Sequence, residues 1–85
     1  MIDINKLSER AHACAVRRGK ITKKTTWEDW MKALSSEVIE LALAGVIRFE
    51  AADIVITLLS LSKEYEIDLE KSILEKMDFN EKRSD

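Results

Sequence analysis

The sequence predicts a small all-α chain of four helices that assembles into an oligomeric helical bundle. Three observations predict it. Apolar residues recur at three- and four-residue spacing along most of the chain. There is no proline, and Gly19 and Gly45 are the only glycines, so breaks are few. No alternating polar and apolar run is bounded by turn residues, which leaves no candidate strand. A composition 46% hydrophobic and 35% charged suits a soluble bundle better than a disordered tail. The 85 residues read as one domain, 1–85. A monomer of that size has little stability to spare.

The first helix is expected from about Ile4 to Arg18, with Leu7, Ala11, Cys14 and Ala15 on one face. Gly19 is its stop, and a basic loop follows with Arg17, Arg18, Lys20, Lys23 and Lys24. Such a run is ordinarily a solvated loop, and it can also draw anions toward a site. Thr26 caps helix two, with Asp29 three residues on in a capping-box arrangement. Trp27, Trp30, Met31, Leu34, Val38 and Leu41 form its apolar stripe. Gly45 marks a tight turn into helix three, expected over about Ile47 to Tyr65. Asp68 caps helix four, whose expected buried stripe is Leu69, Ile73, Leu74 and Met77. Residues 81–85 are expected to fray. Between Ala51 and Leu61 helix three has almost no polar side. A helix apolar all round must be covered all round, and a second copy of the chain can supply that cover.

The formal net charge of −2 gives no reason to expect a nucleic-acid partner. One cysteine, Cys14, permits neither an internal disulfide nor a thiolate zinc site and fits a reducing compartment. No signal peptide is visible, and the most apolar stretch, Ile54 to Leu59, is too short to span a bilayer. The expectation is a cytoplasmic protein with no membrane partner.

Four acids stand out: Glu37 and Glu40 on helix two, Glu50 and Asp53 on helix three. Each pair is spaced i, i+3 and so shares a helix face. The pairs also mirror each other about Gly45, five and eight residues away on either side. In an antiparallel hairpin they fall at matching heights, roughly 7.5 Å and 12 Å from the turn. Arg48 lies nearer the turn and Lys32 farther away, so neither helix offers a cation at those heights. Like charges gathered in a part-buried patch need compensation. An all-oxygen cluster suits Mg²⁺, or Mn²⁺, rather than zinc. The di-iron bundle pattern needs Glu-x-x-His pairs, and the only histidine, His12, is on another helix.

Glu37-Val-Ile-Glu40 followed by Glu50-Ala-Ala-Asp53 resembles the E-x-x-E … E-x-x-D signature of the MazG-like pyrophosphohydrolases. The stretch from Ile67 to Lys71 and that from Leu74 to Arg83 resemble the closing helix of the same family, so the likeness covers about residues 27–83. The resemblance implies an all-α bundle with a core shared between subunits, as a homo-dimer or tetramer. It implies Mg²⁺-dependent cleavage of a (deoxy)nucleoside triphosphate to the monophosphate and pyrophosphate. By carry-over Glu37, Glu40, Glu50 and Asp53 would hold the metal, with Glu40 or Glu37 taking a proton from water. Lys76, Asn80 and Arg83 would hold phosphate oxygens. These three also fall within about 60° on one helix face, a combination suited to phosphate on its chemistry alone.

The sequence departs from the family at several points. Nine residues separate Glu40 from Glu50, fewer than in many relatives. Ser36 replaces a further acid, Thr57 an aromatic, and the chain after Arg83 lacks Pro-x-x-His. His12 and Trp30 are the candidates for contact with the base, since an aromatic face stacks on any nucleobase. Core packing is the competing role for Trp27 and Trp30. Two further readings are a MazG-like module that binds metal or nucleotide without turnover, and a phosphoribosyl-ATP pyrophosphohydrolase. The latter is disfavoured by Ile56-Thr57, where Tyr-His is expected.

Overall fold

The computed structural model describes residues 1–43 and 45–83. It is all-helical, with α1 (Ile4–Arg17), α2 (Trp27–Ala42), α3 (Ile47–Glu64) and α4 (Leu69–Glu81), and no strand among the described residues.

Local chemistry sets the helix ends. Asp3 caps α1 by accepting a hydrogen bond from the Lys6 backbone N–H. Beyond its C-cap, Gly19 adopts φ 74°, a left-handed conformation that a residue without Cβ takes at little cost. At the start of α2 the capping box is complete. The Asp29 N–H donates to Thr26 Oγ1 at 3.2 Å, and the Thr26 N–H donates to Asp29 Oδ2 at 2.8 Å. Asp68 caps α4 through the Lys71 N–H. Of the tail expected to fray, Ser84 and Asp85 lie outside the described residues.

The longest helix, α3, packs against both α1 and α2. Trp30, Ile21 and Leu61 form the buried cluster, with Ala15 and Met31 packed on it. Ile21 is the one apolar residue of the basic loop, and it pins that loop onto the Trp30 end of the α2–α3 hairpin. Trp27 lies outside this core, half exposed and edge-on to Tyr65 with ring centroids 5.3 Å apart.

α4 is tied to α1 at its first turn. Asn5 Nδ2 donates to Asp68 Oδ1 at 2.8 Å, and the Glu70 N–H donates back to Asn5 Oδ1 at 3.2 Å. Beyond that clip the stripe expected to be buried is open: Ile73, Leu74 and Met77 are exposed, and Leu69 is only half-buried. In α3 the all-round cover is likewise partial. Leu59 and Leu61 are buried within the chain, whereas Val55, Ile56 and Leu58 are exposed.

The chain exposes 6913 Å². A compact monomer of this mass exposes about 5,200 Å². Its radius of gyration is 14.3 Å, against about 12 Å for a compact chain of this length. Both excesses follow from α4 and the α2–α3 turn standing clear of the core with their apolar residues in solvent. No helix among the described residues is long and apolar enough to cross a membrane.

Candidate metal centre

The α2–α3 hairpin brings together acids that are ten and more residues apart in sequence. Glu37, Glu40 and Glu50 each offer a carboxylate oxygen, and the three oxygens lie within 4.8 Å of one another. Glu37 and Glu50 are half-buried, and Glu40 is exposed. Oε2 of Glu37 and Oε2 of Glu50 are both out of solvent contact with no hydrogen-bond partner. Asp53 is exposed and stands outside the trio, yet its charge acts on Glu37. Burial pushes the Glu37 carboxyl above the ordinary glutamate range, and the negative charges of Glu40, Asp53 and Glu50 push the same way. No ion pair to any of the four acids occurs among the described residues.

An uncompensated group of this kind is what a hard cation corrects. Two buried oxygens lack a donor, the charges acting on Glu37 are all acids, and an all-oxygen set of this kind could hold Mg²⁺ or Mn²⁺.

The other sequence-predicted residues divide. Trp30 lies with Glu37 and Asp53 on the wall of a cleft of about 540 Å³ formed by α1, the basic loop, α2 and α3. That volume is within the range of small-molecule sites. Trp30 is buried, and its Nε1 has no hydrogen-bond partner. His12 is not on the cleft wall, and its Nε2 is 3.4 Å from Glu64 Oε2 near the end of α3. Lys76 and Asn80 on the exposed α4, and Arg83 just beyond its end, do not line the cleft. The Lys76 ammonium and the Arg83 guanidinium both lie over the Phe79 ring. Within one chain α4 therefore contributes nothing to the cleft wall.

Sequence reasoning passed over Arg10 and treated Arg18 and Lys20 only as loop charges, yet all three line the cleft. The available signal was the i, i+4, i+8 recurrence of Arg10, Cys14 and Arg18, which flanks the Leu7, Ala11 and Ala15 stripe on α1.

No family model, no curated protein and no solved structure matches this chain.

Proposed function

We propose that this chain is a Mg²⁺-dependent nucleoside triphosphate pyrophosphohydrolase of the MazG-like kind, acting as a homo-oligomer and releasing the nucleoside monophosphate and pyrophosphate. The observation that carries the reading is the meeting of Glu37, Glu40 and Glu50, with two buried oxygens that no protein donor satisfies.

Glu37, Glu40 and Glu50 would hold the metal, with Asp53 adding charge beside them. Bound there, Mg²⁺ supplies neutralisation of the triphosphate and a lowered pKa for a coordinated water. Glu40, the exposed member of the trio, takes the proton of the attacking water. Trp30 offers an aromatic wall for the base on the same cleft. Lys76 and Arg83 offset the charge of the leaving pyrophosphate and Asn80 donates a hydrogen bond to it, all delivered by the α4 end of a neighbouring copy. The surplus of exposed area, with large apolar side chains among it, supports such an assembly, since it exceeds the roughly 800 Å² that one face of a stable interface buries.

The test is pyrophosphate release across a panel of ribo- and deoxyribonucleoside triphosphates with Mg²⁺, alongside Glu50→Gln. The wild type should turn over at least one member, and the variant should lose that activity. Metal binding without turnover of any member would instead mark a module that binds and does not hydrolyse.

A further inference from the structure

α4 leaves the body of the chain on a clip of three hydrogen bonds, and one side chain makes two of them. The Asn5 amide donates through Nδ2 to Asp68 Oδ1 at 2.8 Å and accepts at Oδ1 from the Glu70 N–H at 3.2 Å. The third runs from the Ile4 N–H to Glu70 Oε1 at 3.3 Å. The starts of α1 and α4 thus cap each other, and Asn5 grips α4 at two points on one turn. The bond to Asp68 goes to a charged group. Asn5 is the first cause holding that carboxyl below its ordinary 3.8, ahead of the Lys71 N–H. Among the described residues no hydrogen bond to another helix repeats this grip further along α4. Ile73, Leu74 and Met77 are exposed, and of the other helices α4 meets chiefly α1. The 13 residues of α4 are too few to hold a helix in water unaided.

We infer that Asn5 is the positioning residue for α4: its amide fixes the direction in which α4 leaves α1, and with it the place at which Lys76 is presented to a neighbouring copy. The second half rests on the reading that α4 serves the acids of that copy. Leverage makes the small contact matter. Lys76 lies beyond the clip by about 9–12 Å along the helix axis, so a tilt of about 20° moves it by about 3–4 Å. A misplacement of about 1 Å is enough to cost a catalytic contact about 100-fold. The amide is needed at both ends. Asn5→Ala removes both bonds, whereas Asn5→Asp keeps the acceptor for the Glu70 N–H and sets a second carboxylate against Asp68.

The experiment compares Asn5→Ala, Asn5→Asp and Lys76→Ala in the full chain by amide hydrogen exchange, Mn²⁺ titration and pyrophosphate release. Asn5→Ala should speed exchange of the α4 amides from Ile73 to Met77 at least about fivefold. It should lower kcat about tenfold or more with little change in KM, and leave Mn²⁺ binding as in wild type. Adding Lys76→Ala to it should lower kcat no further, since the lysine is already misplaced. Asn5→Asp should loosen α4 more than Asn5→Ala does, although an acid in the first turn of α1 favours α1 itself. A role in α1 stability alone gives the reverse order and overturns the inference. Unchanged α4 exchange in both variants also overturns it. So does a loss of kcat from Asn5→Ala that multiplies with the loss from Lys76→Ala, because two independent effects then act. A wild type that releases no pyrophosphate from any triphosphate, with the exchange difference intact, refutes the proposed hydrolysis and leaves Asn5 as the residue that positions α4.

Discussion

Glu37 on α2 and Glu50 on α3 approach each other closely enough for their carboxylate oxygens to share one cation, and each keeps one buried oxygen without a donor. Two acids in that relationship oppose folding until something positive joins them. Glu37→Gln removes one of the charges while keeping the shape. It should raise the melting temperature of the metal-free protein and lower its affinity for Mn²⁺. The affinity loss should exceed the roughly 10- to 100-fold typical of changes in groups that only support a metal ligand. Differential scanning calorimetry and a Mn²⁺ titration on the same samples check both. A variant that melts lower and binds Mn²⁺ as before would make Glu37 a structural acid.

The pH dependence of the metal-free protein follows from the same residue. The folded state holds a proton on Glu37 more tightly than the unfolded chain does, because burial and three acids raise its affinity. Stability from this group is therefore present at low pH and lost as pH rises from the ordinary value of 4.5 through the higher folded value. Asp29 and Asp68 act in the opposite sense. Hydrogen bonds hold Asp29 below the ordinary 3.8, the Thr26 backbone N–H first, and they hold Asp68 there too, the Asn5 side chain first. Their contribution is present above that value and fades as pH falls through the lower folded one. Urea midpoints without metal should peak on the acid side of neutrality, and Glu37→Gln should flatten the decline above the peak. Parallel curves for wild type and variant would contradict the assignment. Added Mg²⁺ should reverse the slope, since metal competes with the proton.

What the sequence made legible was local or symmetric. The Thr26–Asp29 capping box, the Gly19 stop and the Asp68 cap depend on neighbours within three residues, and each formed as expected. The meeting of Glu37, Glu40 and Glu50 was legible because their positions mirror about Gly45 and a helical rise converts that into height. Asp53 was expected in the same set and stands outside the trio, because at i+3 a carboxylate shares the helix side of Glu50 but not its direction. Leu69, Ile73, Leu74 and Met77 show the converse. Periodicity identified the stripe, but burial depends on a surface that α4 does not find within this chain. The recurrence of Arg10, Cys14 and Arg18 marked a face of α1, but which α1 face meets α3 and which borders a cleft is set by tertiary packing.

The proposed assembly would cover that stripe. Ile73, Leu74 and Met77 of α4, with Leu43, Ile47 and Phe49 around the α2–α3 turn, are all exposed. Apolar area left in this state favours association. Sedimentation at micromolar concentration, without metal, should give a dimer or tetramer. Leu74→Glu should shift it toward monomer and lower its stability, since the same surface serves both. A wild type that sediments as a well-folded monomer would show that these residues need no partner.

The α4 cations give the sharpest test of how the acids and the phosphates divide the work. Lys76 and Arg83 both lie over Phe79 and do not line the cleft within one chain, so their contact with a triphosphate depends on a neighbouring copy. Lys76→Ala and Arg83→Ala should leave Mn²⁺ binding intact and impair turnover. One charge-assisted hydrogen bond contributes about 1.5–3 kcal/mol, which sets the loss at about 10- to 150-fold. Lys76 should give the larger effect, because it lies inside α4 whereas Arg83 follows its end. A contact made only in the transition state lowers kcat with little change in KM, and a uniform binding contact raises KM alone. Mixing Lys76→Ala with Glu50→Gln subunits adds a readout that catalysis within one chain cannot give. If a neighbour supplies Lys76, mixed assemblies regain part of the activity that each variant lacks alone. Absence of any recovery, with both variants individually impaired, would place Lys76 and the acids in the same chain's site. Single variants within twofold of wild type would reduce α4 to scaffolding.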